Sequence, residues 1–555
     1  MLKEPRHMHP DINDTSPTHP PSRTPLTRRA VRSIRGTLAA ASLAVMVAQI
    51  ANALPGALNG VFQETFGTVG SQLTWITAAF MIPVVVFELT FGVLGDKYGH
   101  RSLVVGGAGV VMIGSLVCAV SPTVEWMWVG SAINGLGAGA VFPASLALVA
   151  SVAETSRERI RGIAMWAGFL SAGSAASPLL GGILAGFGWW RGAYVAVAVS
   201  GLAALTLAGW KSQDSERQQG RRPDLWGQTT FALGLILVLF GLVQGPEEGW
   251  SSTRVMGALS VGAAFLVAFV VIEIRVPSPL LDLRLFRIRE FTVSSAVAVI
   301  GMFAFLGACF ATSMWLGPVQ HQNPLYTGLL FLLLQGPAFA MIPLISRLQN
   351  RFASRGLLTA GFLTMAAGGL LASNNDVTNR SVTGFILPSL LVGIGFALTL
   401  SPMTSSAVNS VPRHLTGTAS AATNLLRDLG FALGPVLVGA VALSTAANAL
   451  GSALAGSTLP SGELEPARAT AEAGGPIALN SLPAGAPGSA ARPLALEALG
   501  QGFTQAFVVV SVAALVAALL SWFGLRGIGA HTGHDADRPD ETVTTGDEPG
   551  DLIRA

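Results

Sequence analysis

Residues Gly92–Arg101 read GVLGDKYGHR. One long apolar run precedes them and another follows. A stretch this short, charged and glycine-rich cannot lie in hydrocarbon. It therefore reads as a tight turn at a membrane surface, joining two spanning helices. Gly92, Gly95 and Gly99 let backbones approach closely and reverse direction. Asp96 is placed to sit against a neighbouring helix N-terminus, where the macrodipole favours a carboxylate. Lys97 and Arg101 would hold the turn on the cytoplasmic side.

The rest of the chain agrees with that reading. Of 555 residues, 51% are hydrophobic and only 11% charged. Soluble proteins carry about 25% charged residues. Mean hydropathy is +0.57. Cys118 and Cys309 both lie inside apolar runs, so no disulfide framework is indicated. A span needs ~20 apolar residues. Fourteen stretches qualify: 37–59, 71–94, 102–120, 125–151, 162–186, 189–210, 225–244, 255–274, 291–317, 325–346, 356–373, 382–408, 416–443 and 503–525. The even number puts both termini on one side. With the N-terminus inside, 27 of the 33 Lys and Arg fall on tails and inner loops. That is the asymmetry the positive-inside rule requires. The expectation is a multi-pass protein of the cell membrane with both termini cytoplasmic. A signal peptide ending near Ala51-Asn52-Ala53 is the competing reading of the first run, and would leave an odd number of spans.

Residues 1–36 read as a disordered cytoplasmic tail, and 526–555 as a second one. Residues 444–502 are rich in Ala, Gly, Pro and Ser and poor in aromatics. They read as a flexible extracytoplasmic loop that buries too little apolar surface to order itself.

An internal repeat organises what lies between. Gly99-His100-Arg101 recurs as Ala353-Ser354-Arg355, Gly135-Leu136-Gly137 as Gly393-Ile394-Gly395, and the Gly173 to Pro178 stretch as Gly430 to Pro435. The near-constant offset implies two homologous six-helix bundles, at 37–210 and 291–525. Two extra helices with their linkers occupy 211–290. The loop's second copy is degenerate, with Asn350 where the first half has Asp96.

The spacing G-x-x-x-D-[KR]-x-G-x-[KR] at Gly92–Arg101 resembles the signature loop of the major facilitator superfamily. The 6 + 2 + 6 layout resembles its fourteen-helix drug:proton antiporter branch. The implied fold is an all-α integral membrane bundle. In the fifth span, Gly173, Ser177, Pro178, Gly181 and Gly182 resemble the family's antiporter motif G-x-x-x-G-P-x-x-G-G, with Ser177 in place of the second glycine. Small residues four apart let helices pack backbone to backbone, and proline bends the helix. The resemblance implies export rather than import.

Ionisable residues in hydrocarbon are costly and mark function. Three lie well inside spans: Glu88, Arg427 and Asp428. Glu88 shares a helix face with Thr74, Thr77, Met81, Val85 and Gly92, which should turn it toward the bundle or a cavity. A carboxyl removed from water holds its proton more tightly, so Glu88 could carry a proton or attract a cationic substrate. Asp428 shares a face with Asn424, while Gly430 and Gly434 lie nearly opposite. Arg427 and Asp428 are adjacent in sequence, so they should have different partners. Leu426–Gly430 resembles the family's R-Q-L-G stretch. Two positions depart from the family. Met46 stands nine residues before Pro55, where an aspartate is usual. Ser131 stands where the fourth-span signature has arginine. Two usual proton-coupling groups are thus missing: either Glu88 and Asp428 take over, or coupling works differently. Gln49 and Asn52 are neutral candidates for substrate contact.

No G-x-x-x-x-G-K-[ST] stretch supports nucleotide use. No metal-ligand cluster and no nucleophile–His–acid set occurs, so neither an enzyme, nor a metal, nor a cofactor is indicated. Scattered basic residues argue against nucleic acid. The expected partners are the lipid bilayer, protons and a small amphipathic substrate. The expected function is export of lipophilic or cationic drugs by proton antiport. The alternatives are a proton-coupled uptake carrier and a non-transporting membrane sensor on the same fold.

Overall fold

A computed structural model describes residues 28–526, apart from 69, 154, 215–223, 278 and 413–414. The chain is helical throughout the described residues. In order, the helices are α1 (Arg28–Ala53), α2 (Pro55–Phe66), α3 (Gly70–Tyr98), α4 (His100–Val120), α5 (Val124–Ser151), α6 (Ser156–Gly186), α7 (Arg191–Lys211), α8 (Leu225–Glu248) and α9 (Thr253–Arg275). Then come α10 (Arg289–Met314), α11 (Pro324–Ala340), α12 (Ile342–Gln349), α13 (Ser354–Ser373), α14 (Ile386–Asn409), α15 (Thr416–Ala455), α16 (Ser461–Asn480) and α17 (Arg492–Leu519). Thirteen described helices are long and apolar enough to cross a membrane. The bent pair α11–α12, angled 48° at Met341, makes the fourteenth span. All fourteen expected stretches are therefore found on helices.

Exposed Val199, Leu202, Val267 and Ile274 show why these helices are apolar all round. One face meets other helices and the other meets lipid tails.

The duplication is visible as packing. In the first half α4 pairs with α5 and α7, α1 with α6, and α3 with α5. In the second half α13 pairs with α14 and α17, α10 with α15, and α11 with α14. The repeated glycines are the contact points. Any Cβ at Gly135 would run into the Phe80 carbonyl of α3, and one at Gly393 into the Leu333 carbonyl of α11. The halves meet through α6 against α11 and α3 against α15, a pair of contacts related by the same duplication. Helices α8 and α9 pack together, and α8 touches both α3 and α15.

Two boundaries differ from expectation. The tail assigned to 1–36 falls outside the described residues up to 27, but 28–36 belongs to α1. Arginine is a good helix former, so the helix continues beyond its apolar part, which begins at Ile34. The segment 444–502 is not a structureless loop. Helix α15 runs on to Ala455, α16 fills Ser461–Asn480 and α17 starts at Arg492. Leu450, Leu454, Ala467, Leu479, Ala491 and Ala495 bury one another in a small separate core. Alanine has the highest helix propensity, and these few leucines suffice to close the cap. The tail expected over 526–555 lies outside the described residues beyond Arg526.

Candidate functional site

Between the halves lies a cavity with about 850 Å³ of empty space, including the part open to solvent. Its walls are mainly apolar, with Met81, Phe142, Trp166, Phe396 and Phe431 prominent. All five sequence-predicted site residues line it: Gln49, Asn52, Glu88, Arg427 and Asp428. They come from three helices, α1, α3 and α15. Glu88 and Asp428 are 5% exposed each. Contributed by opposite halves, both carboxyls line the same cavity. Glu88 Oε2 is buried without a hydrogen-bond partner. Gln49 Nε2 donates to Ser174 Oγ at 2.8 Å, fixing α1 against α6.

The expectation of separate partners for Arg427 and Asp428 is overturned. Arg427 Nε stands 3.4 Å from Asp428 Oδ1. The arginine side chain is long enough to fold back around its own helix, which side-chain spacing on a wheel does not capture. The division of α15 into two faces holds. Asp428 and Asn424 face the cavity, while a Cβ at Gly434 would stand 2.8 Å from the Phe303 carbonyl oxygen of α10.

The antiporter-like motif is a packing device between three helices. A Cβ at Gly173 would come within 2.7 Å of the Met46 carbonyl oxygen in α1. One at Gly182 would come within 2.6 Å of the Pro324 carbonyl oxygen in α11, and one at Gly181 within 2.9 Å of Leu54 Cδ1. Fully buried Ser177 donates from Oγ to the Ile50 carbonyl at 2.6 Å. Pro178 continues this face, and its carbonyl blocks any side chain at Gly328 of α11. The motif thus joins α6 to its own half and to the other. Met46 and Ser131, the two departures from the pattern the sequence resembles, are packed between helices.

The loop at Gly92–Arg101 is tighter than its spacing suggests. Helix α3 runs to Tyr98, Gly99 turns the chain at φ +96°, and α4 begins at His100. Only glycine takes that φ without strain. Asp96 sits at the start of α4, against the side chain of that helix's first residue rather than a backbone N–H. It lies 3.5 Å from His100 Nε2 one turn away, with 45% of its side chain exposed. Arg101 caps the C-terminus of α7. Arg101 Nε donates to the Ala208 carbonyl at 3.3 Å and Nη2 to that of Gly209. Lys97 Nζ covers the Tyr98 ring at 5.1 Å. Gly92 faces open space and Gly95 packs on His100.

Sequence reasoning missed two buried groups. Glu273, at the end of α9, accepts the Leu281 N–H at 3.1 Å. Gln228 of α8 bonds the Val86 carbonyl and the Thr90 hydroxyl, two residues either side of Glu88. A glutamine in an apolar run was the only available signal.

The halves are sealed at the end that carries α2. Asn59 Nδ2 donates to Ser313 Oγ at 2.9 Å, and Ser313 Oγ donates to the Gly56 carbonyl at 2.6 Å. Gly60 and Gly317 meet backbone to backbone, and Gln63 bonds Ser481 of the α16 cap. At the opposite end Phe339, Leu344, Met165 and Phe169 are exposed.

Comparison with known proteins agrees with this geometry. Multidrug resistance protein Stp of Mycobacterium tuberculosis is 29% identical over 68% of this chain and 70% of its own length. The tetracenomycin C resistance and export protein of Streptomyces glaucescens is 26% identical over 87% and 90%. A solved bacterial homologue of the human lysosomal transporter Spinster, inward-facing and unoccupied, superposes with a TM-score of 0.62 at 14% identity, covering 90% of this chain and 98% of that one. Residues 41–435 match the family model described as Major Facilitator Superfamily. The chain is thus a multi-pass membrane transporter, not an enzyme, and belongs to the Major Facilitator Superfamily.

Proposed function

We propose that this transporter exports lipophilic or cationic compounds across the plasma membrane in exchange for protons, by alternating access. One observation carries the reading. Glu88 and Asp428, from opposite halves, face each other in the central cavity beside Arg427. Two carboxyls gathered in one apolar cavity repel each other when both are charged, and a proton or a cation relieves that repulsion. Separating the halves, or inserting a cation between them, changes that balance. The apolar walls suit a greasy body and the carboxyls suit a positive end. With both termini cytoplasmic, the sealed α2 end is the outer face, and the cavity opens inward to collect substrate. The named resistance and export relatives support the outward direction.

The test is transport in proteoliposomes under an imposed pH gradient, with a panel of cationic dyes and antibiotics. Proton-driven movement should disappear in Glu88→Gln and Asp428→Asn while insertion and thermal stability persist. Full transport in Glu88→Gln would exclude that residue as the coupling group. Accumulation on the cytoplasmic side would instead favour an uptake carrier, and an absence of flux in wild type a sensor.

A further inference from the structure

A second cavity lies outside the central one and shares no residue with it. It opens at the α2 end between the first turns of α3, the first turns of α5 and the last turns of α8. Its walls are Trp75, Trp128 and Phe240, with Gln244, Glu247 and Ser71 at the rim. Ring centroids of Trp75 lie 6.3 Å from Trp128 and 6.1 Å from Phe240, both pairs tilted at 47°. The Trp128 indole is held in place by Nε1 donating to the Gln72 carbonyl at 3.0 Å.

These rings differ from the tryptophans that merely anchor helices at the membrane boundary. Trp126, Trp189 and Trp250 are 52%, 59% and 43% exposed and fit that anchoring role. Trp75 and Trp128 are half-buried and line a cavity. The polar groups there are mostly acceptors. Glu247 Oε1 accepts the Ser71 N–H at 3.0 Å, and Glu247 has no ion pair among the described residues. Its neighbour Glu248 is paired instead with Arg254 at 3.0 Å. Gln244 Nε2 is spent on Glu248 at 3.3 Å, while Gln244 Oε1 is buried without a partner. A cavity lined by three aromatic rings, one carboxylate and one spare amide oxygen suits an organic cation. Ring faces attract such a cation, and the carboxylate neutralises it.

We infer that this cavity binds the ammonium head of an amphipathic molecule at the membrane boundary, separately from the central cavity. An ammonium head can come from a zwitterionic lipid or from a free amphipathic cation. The chemistry is common to both.

The experiment uses the full chain in phosphatidylglycerol nanodiscs and a photoreactive dodecyltrimethylammonium probe, with cross-links mapped by peptide mass spectrometry. Labelling is expected on the segments around residues 71–75, 128 and 240–247. Glu247→Gln and Trp128→Leu should each lower it about fivefold or more, and Asp428→Asn should leave it unchanged. A neutral analogue with a tert-butyl head should label weakly. Labelling elsewhere in the chain serves as the internal check that each variant is folded. Suppression by added phosphatidylethanolamine would identify the lipid head as occupant. Persistence in its presence would identify the free cation. Absence of label from all three segments, equal labelling by the neutral analogue, or full labelling in both variants overturns the inference.

Discussion

The seal at the α2 end can be loosened by a single methyl group. A Cβ placed on Gly60 would lie 2.8 Å from Gly317 Cα and 3.1 Å from Gly317 C. Carbon atoms prefer a separation of about 3.5–4.0 Å. Gly60→Ala therefore requires the halves to part there by roughly an ångström, because both surfaces are backbone. Overpacking of this kind costs about 1–3 kcal/mol. The cost falls on the contact between halves, not on the interior of either half. It acts on the balance of conformations, and 1.4 kcal/mol is about a tenfold shift. Gly317→Ala meets Gly60 N at 2.7 Å from the other side and should behave the same way. Gly257→Ala, whose Cβ would meet nothing within 4 Å, is the control. The assay is the distance distribution between spin labels on α2 and α11, in a background with Cys118 and Cys309 replaced. Wider distances in both seal variants, at near-normal thermal stability, are expected. Unchanged distances, or a collapse of stability equal to that of a core substitution, would refute the reasoning.

Three further outcomes follow from the geometry. Ser177→Ala removes the buried bond to the Ile50 carbonyl. That carbonyl also accepts from Leu54 N at 3.1 Å, so the loss should be only about 0.6 kcal/mol, read as a small drop in unfolding temperature. Arg101→Ala strips two donors from the end of α7; about 1–2 kcal/mol of local stability should vanish, seen as faster amide exchange over the last turn of α7. His321 lies beyond the end of its span. Burial holds its imidazole below the usual value, Glu64 opposes this, and Arg492 and Arg380 add to it. The unfolded chain then takes up the proton first as pH falls below about 6.5. Stability contributed by neutral His321 is lost toward acid pH, and His321→Gln should flatten the fall in stability below about pH 6.5.

The duplicated bundle and the cavity residues were legible in the sequence for one reason: hydrocarbon penalises charge. An apolar run interrupted by Glu88 or Asp428 therefore carries more information than a similar residue in a soluble protein. The repeated glycines were legible because each stands where another backbone leaves no room for Cβ. What escaped depended on side-chain conformation or on contacts between distant segments. Nothing local says that Asp96 meets His100, or that Arg427 folds back onto Asp428. The bend at Met341 lies between Pro337 and Pro343, but hydropathy runs evenly across it. The α16 cap shares its Ala- and Gly-rich composition with disordered linkers. Only the meeting of Leu450 and Leu454 with Leu479 distinguishes them.

Helix α8 touches both halves, so one of those contacts must slide if the halves move as two bodies. Its polar bonds say which. Near one end Gln228 is bonded twice to α3, at Val86 and Thr90. At the other end Glu247 accepts the Ser71 N–H of α3. Toward α15 the polar contact among the described residues is made just beyond α8, where Trp250 Nε1 donates to Ser444 Oγ at 3.2 Å on the surface. A surface bond of that kind contributes little, whereas buried amide bonds in an apolar medium are costly to break. Helices α8 and α9 should therefore travel with the first half, giving moving units of eight and six spans. Cysteines replacing Thr90 and Gln228, bridged by a short bifunctional maleimide, should leave transport intact. Cysteines replacing Trp250 and Ser444, bridged the same way, should stop it. The opposite pattern would assign the extra pair to the second half, and a block in both cases would mean that α8 bends between them.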